Sequence, residues 1–367
     1  MIKILMLVNW KIEYAQQIPN GKQPPDYDVE GKPYWFFRYF EEPVQVDVVD
    51  IRSFPWLERF EKNKLRFYVW QTLRVIPHLH KYDLILSHGA QSGIVLSLFR
   101  RLFKGKAKHI LFDIGAFNSA AEKGGALKLM QLSSHSLDGV IYHTGNQKEY
   151  YKKCFPWLLD KSQFIPFGTD STYFVRENEK PKTQNCIICV GYQKRDWNTL
   201  IQAYLCMAEK LNREEKEIPE LRLVGKADYE GKDIIKLPEK AQITAIPFVP
   251  LEELISDILS SLFAVLPLEN FNYSFGQMTL LQQMALGKAV ITARVPSMVD
   301  YVTEGKTGLF YEAGNKQDLC DKMLLLYENG QLRQQIEHAA REYVEFKYNE
   351  KHMALQIEAF IKKVLAK

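Results

Sequence analysis

Short apolar runs alternate with amphipathic segments along the whole chain. The run KILMLVNW near the N-terminus predicts a buried strand, and a polar, proline-containing loop separates it from the helically spaced aromatics of KPYWFFRYFEE. LRFYVWQTLRVIPHLHKY is typical of an amphipathic helix, and further strands are predicted at VQVDVVDI, DLILSHG, HILFDIG and GVIYHT. This β-α-β alternation indicates a parallel sheet with helices on both faces.

A second series of the same kind follows a charged, proline-containing stretch. NCIICVG, ELRLVG, AQITAIPF, LFAVLPL and KAVIT predict strands with helices between them. We therefore predict an α/β protein with two doubly wound, Rossmann-like domains facing a cleft, and ligands at the carboxyl ends of the strands. The predicted parts are an N-terminal domain over 1–175, a linker over 176–184, a C-terminal domain over 185–345 and a terminal helix over 346–367 that can cross back to the N-terminal domain.

Composition excludes several classes of protein. The 367 residues include 46% apolar residues and carry a net charge of only +4, which argues against disorder. No apolar run approaches the roughly eighteen residues of a membrane helix, and no signal peptide is recognisable, so we expect a cytoplasmic protein. The five cysteines are sparse and odd in number, and Cys186 and Cys189 fall in an apolar strand pattern that favours core packing over metal or redox chemistry.

The positive charge is concentrated in one stretch. Residues 55–110 contain eleven Lys and Arg against three acidic residues, a local charge of +8 that leaves −4 for the remainder. Aromatic residues such as Phe54, Trp56 and Phe60 interleave with these cations. This pattern suits peripheral binding to the anionic inner face of a membrane. The alternative is a set of core aromatics beneath a solvated charged face. Nucleic acid is not expected as a partner, because no binding motif accompanies the charge.

Residues 267–310 carry the most informative pattern. An apolar strand ends in a polar loop, and the turn Ser274-Phe275-Gly276 precedes a helix. Unpaired N–H groups and the partial positive charge of a helix N-terminus suit a diphosphate or a sugar hydroxyl, and glycine lets the backbone come close to such a ligand. The alternative is a plain helix capped by Ser274.

This segment resembles the donor-binding signature of the retaining glycosyltransferases of family four, the glycosyl transferases group 1, which have the GT-B fold. The runs 284–291 (MALGKAVI) and 304–309 (EGKTGL) fit that signature, whereas Ser274 and Gln282 stand where the family usually has two glutamates. The resemblance implies that Gln282 contacts the donor ribose. It also implies that Ser274, Gln277 or the backbone amides of Phe275, Gly276 and Gln277 contact the donor sugar.

Three further segments support the resemblance. The run 165–170 (IPFGTD), followed by Phe174, resembles the end of the family's first domain, although a turn without a ligand is the alternative. In VGYQKRDWNTL, Arg195 is expected to grip the diphosphate, because a guanidinium can hydrogen-bond two phosphate oxygens. Lys226, at the end of LVGK, could add a second charge or could be simply solvated.

The first half holds two candidate catalytic residues. His88 ends one predicted strand, and Asp113 ends another, in the place where the family often has a histidine. Both residue types also occur at strand ends as satisfied structural groups. The family's glycine pair after the first strand is absent, and Gly31 is the nearest substitute.

The resemblance implies a hexosyltransferase-type enzyme of glycan biosynthesis. Such an enzyme moves a sugar from a UDP- or GDP-sugar to a glycan or lipid-linked acceptor with retention, and we expect it to need no metal or other cofactor. A nucleotide-sugar epimerase of the same fold and a non-catalytic nucleotide-sugar binding protein remain as alternatives. A nicotinamide enzyme is disfavoured because no GxGxxG follows the first strand of either half.

Overall fold

The computed structural model describes residues 1–19, 22–103, 105–115, 117, 122–176, 181–225 and 237–367. These residues form two compact units. The first unit comprises Met1–Pro166, Asn272–Phe275 and Lys351–Lys367, and the second comprises Phe167–Phe271 and Gly276–Glu350. The chain thus enters the second unit after Pro166, and the C-terminal segment is part of the first unit.

The first unit is built on a parallel sheet of six strands in the order β4-β1-β5-β6-β7-β8. A separate pair of short parallel strands, β2 and β3, lies in the long connection after β1. The bounds are β1 Ile2–Leu7, β2 Glu13–Ala15, β3 Tyr27–Val29, β4 Val44–Val49, β5 Leu84–His88, β6 Lys108–Asp113, β7 Gly139–Tyr142 and β8 Ser162–Phe164.

Helices connect these strands. Their bounds are α1 Pro55–Phe60, α2 Val69–Val75, α3 Ala90–Leu102, α4 Gly125–Ser134 and α5 Gln147–Cys154, with α12 Glu350–Leu365 at the end of the chain. The single helix predicted over 65–82 is wrong in extent. After α2 the backbone tightens into a 3-10 segment, Ile76–Lys81, because Pro77 has no N–H to donate within a helix. Helix α3 packs against both α2 and α4.

The second unit repeats the plan with another parallel six-stranded sheet, in the order β11-β10-β9-β12-β13-β14. Its strands are β9 Cys186–Val190, β10 Glu220–Val224, β11 Ile243–Ile246, β12 Phe263–Leu266, β13 Val290–Ala293 and β14 Leu309–Tyr311. Its helices are α6 Ser171–Phe174, α7 Trp197–Arg213, α8 Leu251–Ser260, α9 Gln277–Ala285, α10 Lys316–Glu328 and α11 Gly330–Lys347.

The central strands are buried on both faces, as expected for parallel sheets covered by helices. Every residue of β5, β7 and β12 is buried, and Cys186 and Cys189 lie in the interior of the second sheet on β9. The predicted fold class, two doubly wound Rossmann-like domains, is confirmed. In the described part of the chain, no helix combines the length and apolar character needed to cross a membrane.

Each sheet has one point where the connections change direction. In the first sheet it lies between β1 and β5, and in the second between β9 and β12. Loops leave these neighbouring strands in opposite directions, which opens a crevice outside their carboxyl ends where ligands of open α/β sheets bind. These two points define where candidate residues should be sought.

Candidate functional site

The switch point of the second unit lies beside Arg195. Strand β9 ends at Val190 and β12 at Leu266, and the backbones of Arg195 and Leu268 pair beyond them in an isolated antiparallel bridge. Asp196 then caps α7, because its side chain accepts a hydrogen bond from the Thr199 N–H. Backbone pairing and a helix cap therefore fix Arg195 at the carboxyl edge of the sheet.

The guanidinium of Arg195 is buried, with only 6% of the residue exposed. Its Nε and Nη2 both donate to the Val190 carbonyl, at 3.1 and 2.9 Å, and its Nη1 donates to the Gln193 carbonyl at 3.0 Å. A longer contact of 3.5 Å runs from Nη2 to Thr279 Oγ1, in the first turn of α9. Four of its five N–H donors are thus engaged, and one Nη1 hydrogen is left for a ligand.

Gly191 makes this arrangement sterically possible. It has a φ of +94°, and a Cβ built on it would lie 2.5 Å from Arg195 Nη2. A side chain there would strain the backbone and force the guanidinium to shift, so with glycine the guanidinium packs directly against the backbone. Burial lowers the pKa of Arg195, mainly because the charged guanidinium loses contact with solvent. The sequence signal for Gly191 was its position immediately after a buried strand.

The N-terminus of α9 lies next to this guanidinium through Thr279. Its N-cap residue is Gly276, with a φ of +86°, and no side chain caps the helix among the residues that the structure describes. Ser274 is therefore not the N-cap, and the capped-helix alternative is wrong. The partial positive charge of the helix end thus adds to that of Arg195.

Ser274 belongs to the first unit and is hydrogen-bonded there. Its hydroxyl lies 2.8 Å from Thr144 Oγ1 and donates to Gln147 Oε1 at 3.1 Å. Gln147 in turn donates from Nε2 to the Asp113 carbonyl at 2.9 Å. The structure thus joins two predicted residues, Ser274 and Asp113, in one buried network, and the proposed sugar contact of Ser274 stays a prediction.

The other predicted donor residues differ in accessibility. Gln277 is buried and Phe275 is half-buried, and both lie at the start of α9. Gln282 is half-buried one turn further on, and its side chain makes no hydrogen bond to any described residue. Its amide is therefore available to a ligand. Lys226 lies outside the described residues.

The first unit has its own cluster at the switch point between β1 and β5. Asn9 Nδ2 donates to Gln91 Oε1 at 3.3 Å, and the rings of Trp10 and His88 meet edge to face with centroids 4.8 Å apart. Trp35 and Phe112 complete the enclosure of His88, at 5.4 and 5.3 Å. Sequence reasoning missed Trp10 and Trp35, although Trp10 follows the first strand directly.

His88 is held neutral in this aromatic enclosure. Burial, with a smaller contribution from His143, lowers its pKa to about 3. Its Nδ1 is buried and accepts no hydrogen bond from the described residues. Trp35 has a φ of +46°, a backbone conformation that a bulky residue adopts only where the surroundings impose it. Partly exposed rings at a strand-edge crevice form a surface on which a sugar ring can stack.

Asp113 is fully buried, and both of its carboxylate oxygens are engaged. Oδ1 accepts from the Phe117 N–H at 2.5 Å and Oδ2 from the Tyr151 hydroxyl at 2.6 Å. Burial raises the pKa of Asp113 to about 6, against the opposing effect of these hydrogen bonds. No hydrogen bond joins His88 and Asp113 in the described structure. Asp113 fixes the backbone N–H of Phe117, four residues after the end of β6, and its candidate role in catalysis stays a prediction.

Two motif segments have structural tasks. The Thr169 N–H donates to the Tyr348 carbonyl at 2.8 Å, and a Cβ on Gly168 would lie 2.3 Å from the Asn349 carbonyl oxygen, so this run packs against the end of α11. Glu304 accepts from the Phe310 N–H at 2.9 Å and pairs with Arg294 at 3.0 Å, which fixes the turn before β14. Within the described ranges, no three His, Cys, Asp or Glu side chains cluster as a metal site would require.

Comparisons with known proteins agree with this architecture. The family model described as glycosyl transferases group 1 matches residues 170–343. Sucrose-phosphate synthase from Thermosynechococcus elongatus superposes with a TM-score of 0.69 at 17% identity, over 99% of both chains. Anabaena HepE in complex with UDP gives 0.68 at 14% identity, over 99% of this chain and 100% of that one. A glycosyltransferase from Rickettsia africae ESF-5 gives 0.69 at 16% identity, over 99% and 98%. No curated protein matches the chain in sequence.

These observations define the class of the protein as a glycosyltransferase with the GT-B fold. The region 170–343 that matches the glycosyl transferases group 1 model includes Arg195 and α9 and covers most of the second unit. The predicted family resemblance is confirmed.

Proposed function

We propose that the protein transfers a hexose from a nucleotide-diphosphate sugar to a glycan or lipid-linked acceptor, with retention of anomeric configuration. The observation that carries this proposal is Arg195, held beside the uncapped N-terminus of α9 at the switch point of the second sheet. The charge of the Arg195 guanidinium and the partial positive charge of the α9 N-terminus lie next to each other there. A diphosphate is the ligand that fits such a place. The complexes of Anabaena HepE with UDP and with UDP-glucose support testing uridine donors first.

The chemical demand is to stabilise a departing diphosphate. As the sugar–oxygen bond breaks, negative charge grows on the leaving oxygen, while the anomeric carbon becomes oxocarbenium-like. The remaining Nη1 hydrogen of Arg195 and the amides at the start of α9 would stabilise that charge from fixed positions, without a metal ion. Gln282 would accept or donate a hydrogen bond to the ribose hydroxyls.

The acceptor is assigned to the first unit. The Trp10 and Trp35 rings offer a stacking surface, and the buried, neutral His88 closes its floor. In sugar transfer, the acceptor hydroxyl must lose its proton, and we name no protein base for that step. The rings position the acceptor in this proposal.

A membrane-borne acceptor is favoured by helix α1. It contains Trp56, Leu57 and Phe60 yet buries none of its residues, and Trp56 is 70% exposed. It follows β4 at the carboxyl edge of the sheet, where Glu58 pairs with Lys11 at 2.7 Å, one residue beyond Trp10. Arg59, Lys62 and Lys64 lie close to these aromatic residues in the sequence. This combination matches an anionic bilayer surface in charge and in apolar character.

A thermal-shift screen across UDP-sugars and GDP-sugars tests the donor assignment. One donor should raise the melting temperature in the wild type, because ligand that binds only the native state stabilises it. The Arg195→Ala variant should lose that shift. The matching donor is then incubated with and without short glycans and polyprenyl-phosphate acceptors, with and without EDTA.

The products separate the alternatives. An α-linked product from an α-linked donor, read by the anomeric NMR coupling constant and formed equally in EDTA, supports the proposal. A converted sugar nucleotide without acceptor would identify an epimerase. Donor binding with no turnover on any acceptor would favour a binding protein, and an inverted product would contradict retention.

A further inference from the structure

A basic pocket lies at the opposite edge of the first sheet from His88 and Trp10. It has a volume of about 300 Å³ and is lined chiefly by Arg100, Arg101, His135, Asp138 and Lys161. Asp138 and Lys161 immediately precede strands β7 and β8, and Arg100 and Arg101 lie in the last turn of α3. The pocket therefore opens at the amino ends of the strands, away from the crevice where transfer is proposed.

Positive charge exceeds negative charge around this pocket. Asp138 pairs with Arg100 at 3.4 Å and with Lys108 at 3.5 Å. Arg101 and Lys161 make no ion pair with any carboxylate in the part of the chain that the structure describes. They donate instead to the carbonyls of Leu132, at 3.2 Å, and Leu137, at 3.0 Å. Three cations, Arg100, Arg101 and Lys161, thus line the pocket with one carboxylate, Asp138.

Arg100 supplies a buried donor that is not satisfied. The residue is only 8% exposed, and its Nη1 donates to the Ala107 carbonyl. Its Nε has no hydrogen-bond partner among the described residues. A buried guanidinium N–H without an acceptor is costly, and the Arg100 side chain that carries it lines the pocket, where its positive charge attracts an anion. His135 stacks on Trp157 at 4.1 Å, and burial and the charges of Arg101 and Lys161 lower its pKa.

Exposed apolar side chains stand next to Arg101, either beside it in the chain or on the residue whose carbonyl accepts its hydrogen bond, and we take them as the rim of the pocket. Leu102 is 77% exposed and Phe103 is 62% exposed, both directly after Arg101, and Leu132 on the adjacent helix α4 is also exposed. A free phosphate would gain nothing from contact with such an apolar rim. A phosphate that carries acyl chains does, because the chains can lie against Leu102 and Phe103 while the headgroup occupies the pocket.

We propose that this pocket binds the phosphate headgroup of an anionic phospholipid. The inference rests on the membrane-docking part of the proposed function, and it assigns the headgroup to residues distant from both α1 and the candidate transfer site. Helices α2 and α3 pack side by side, and Leu73 on α2 is exposed as well. In this proposal the bilayer therefore meets exposed apolar residues of α2 and α3 in addition to those of α1.

The test is co-sedimentation with phosphatidylcholine vesicles, with and without phosphatidylglycerol. Arg101→Ala/Lys161→Ala removes two pocket cations and spares the buried Arg100. Lys148→Ala/Lys363→Ala removes two exposed cations from the same unit and is the matched control. We expect the pocket variant to lose about 30-fold in partitioning onto phosphatidylglycerol vesicles, about 2 kcal/mol for two charges, and the control to stay within about threefold. Unfolding midpoints of both variants verify that they fold.

Other outcomes overturn the proposal in distinguishable ways. Equal losses in both variants would show general charge attraction without a headgroup site. Wild-type binding that the pocket variant retains would remove the pocket and leave the docking surface of α1 in place. Absence of vesicle binding by the wild type would overturn both docking and pocket, but not sugar transfer. Inorganic phosphate that raises the melting temperature of the wild type and not of the pocket variant, without a difference on vesicles, would replace the lipid by a free phosphate.

Discussion

The backbone of Arg195 pairs with that of Leu268 in an antiparallel bridge just outside the carboxyl ends of β9 and β12. This bridge ties the loop after β9 to the loop that leads into α9. The cation and the helix N-terminus that we assign to the donor diphosphate are therefore positioned by one piece of backbone structure. A change in the conformation of either loop should therefore alter the conformation of the other.

Arg195→Ala should weaken both donor binding and folding. It removes the hydrogen bonds to the Val190 and Gln193 carbonyls, so we expect a loss of about 2–4 kcal/mol in unfolding free energy. UDP affinity, measured by calorimetry below the melting temperature, should fall by more than about tenfold. Lys194→Ala is the control, because its exposed side chain makes only weak surface contacts, a 4.0 Å pair with Glu269 and a cation–π contact with Phe271 at 4.3 Å. Unchanged UDP affinity in the folded Arg195→Ala protein would remove Arg195 from the donor site.

Gly191→Ala should act on the same site indirectly. Both Gly191 and Gly314 have positive φ, at +94° and +79°, but only at Gly191 would a Cβ meet the Arg195 guanidinium. Gly314→Ala should cost about 1 kcal/mol of stability and leave donor affinity unchanged. Gly191→Ala should cost more and also lower donor affinity, because the guanidinium must move. Equal affinities of the two variants would show that the position of Arg195 does not matter to the donor.

Gln282 should matter for binding but little for folding. Its side chain bonds to no described residue, so Gln282→Ala should leave the melting temperature near that of the wild type. UDP affinity should fall by about five- to tenfold, the equivalent of one hydrogen bond. Gln282→Glu, the residue of the family signature, should keep or improve affinity through a charged acceptor. If the alanine variant binds UDP like the wild type, Gln282 is not a ribose contact.

Asp113 should make a distinct contribution to stability against pH. Its folded pKa of about 6 exceeds the ordinary value of 3.8, so the native carboxyl keeps a proton that the unfolded one has lost. The contribution of Asp113 is therefore greatest below about pH 4 and falls as pH rises to about 6. Relative to Asp113→Asn, the wild type should lose up to about 3 kcal/mol over that window, measured by urea unfolding. A difference that is constant with pH would mean that Asp113 titrates normally.

The exposed rings of α1 should contribute to vesicle binding. Trp56→Ser/Phe60→Ser removes apolar surface that is not buried in the fold, so stability should change by less than about 1 kcal/mol. Binding to phosphatidylglycerol vesicles should fall by at least about tenfold. Phe346→Ser, at an 81% exposed position in the second unit, is the control and should bind like the wild type. Equal binding by all three proteins would exclude α1 as a docking surface.

The sequence alone determined the class of fold and the order of its parts. Apolar runs such as LFAVLPL and NCIICVG are long enough and flanked by enough turn residues to specify buried parallel strands, and burial on both faces leaves few other arrangements. The resemblance to the glycosyl transferases group 1 rested on short sequence runs, and the residues of such a run contact one another locally. Glu304 and Thr307 shape a turn within a few residues of themselves, so their spacing in the sequence is enough to recognise them.

Only the tertiary structure decided which side chains meet. Four of the five Arg195 N–H donors bind neighbouring carbonyls and Thr279. Ser274 contacts Thr144 and Gln147, which are more than a hundred residues away in the sequence. The rings of Trp10 and Trp35 enclose His88. The tertiary structure also divided the basic stretch 55–110 into the surface of α1 at the carboxyl edge of the sheet and the pocket at the amino edge. Every strand of a parallel sheet begins at one edge of the sheet and ends at the other, so segments close in sequence can lie at opposite edges. Strand direction and strand order therefore set these contacts.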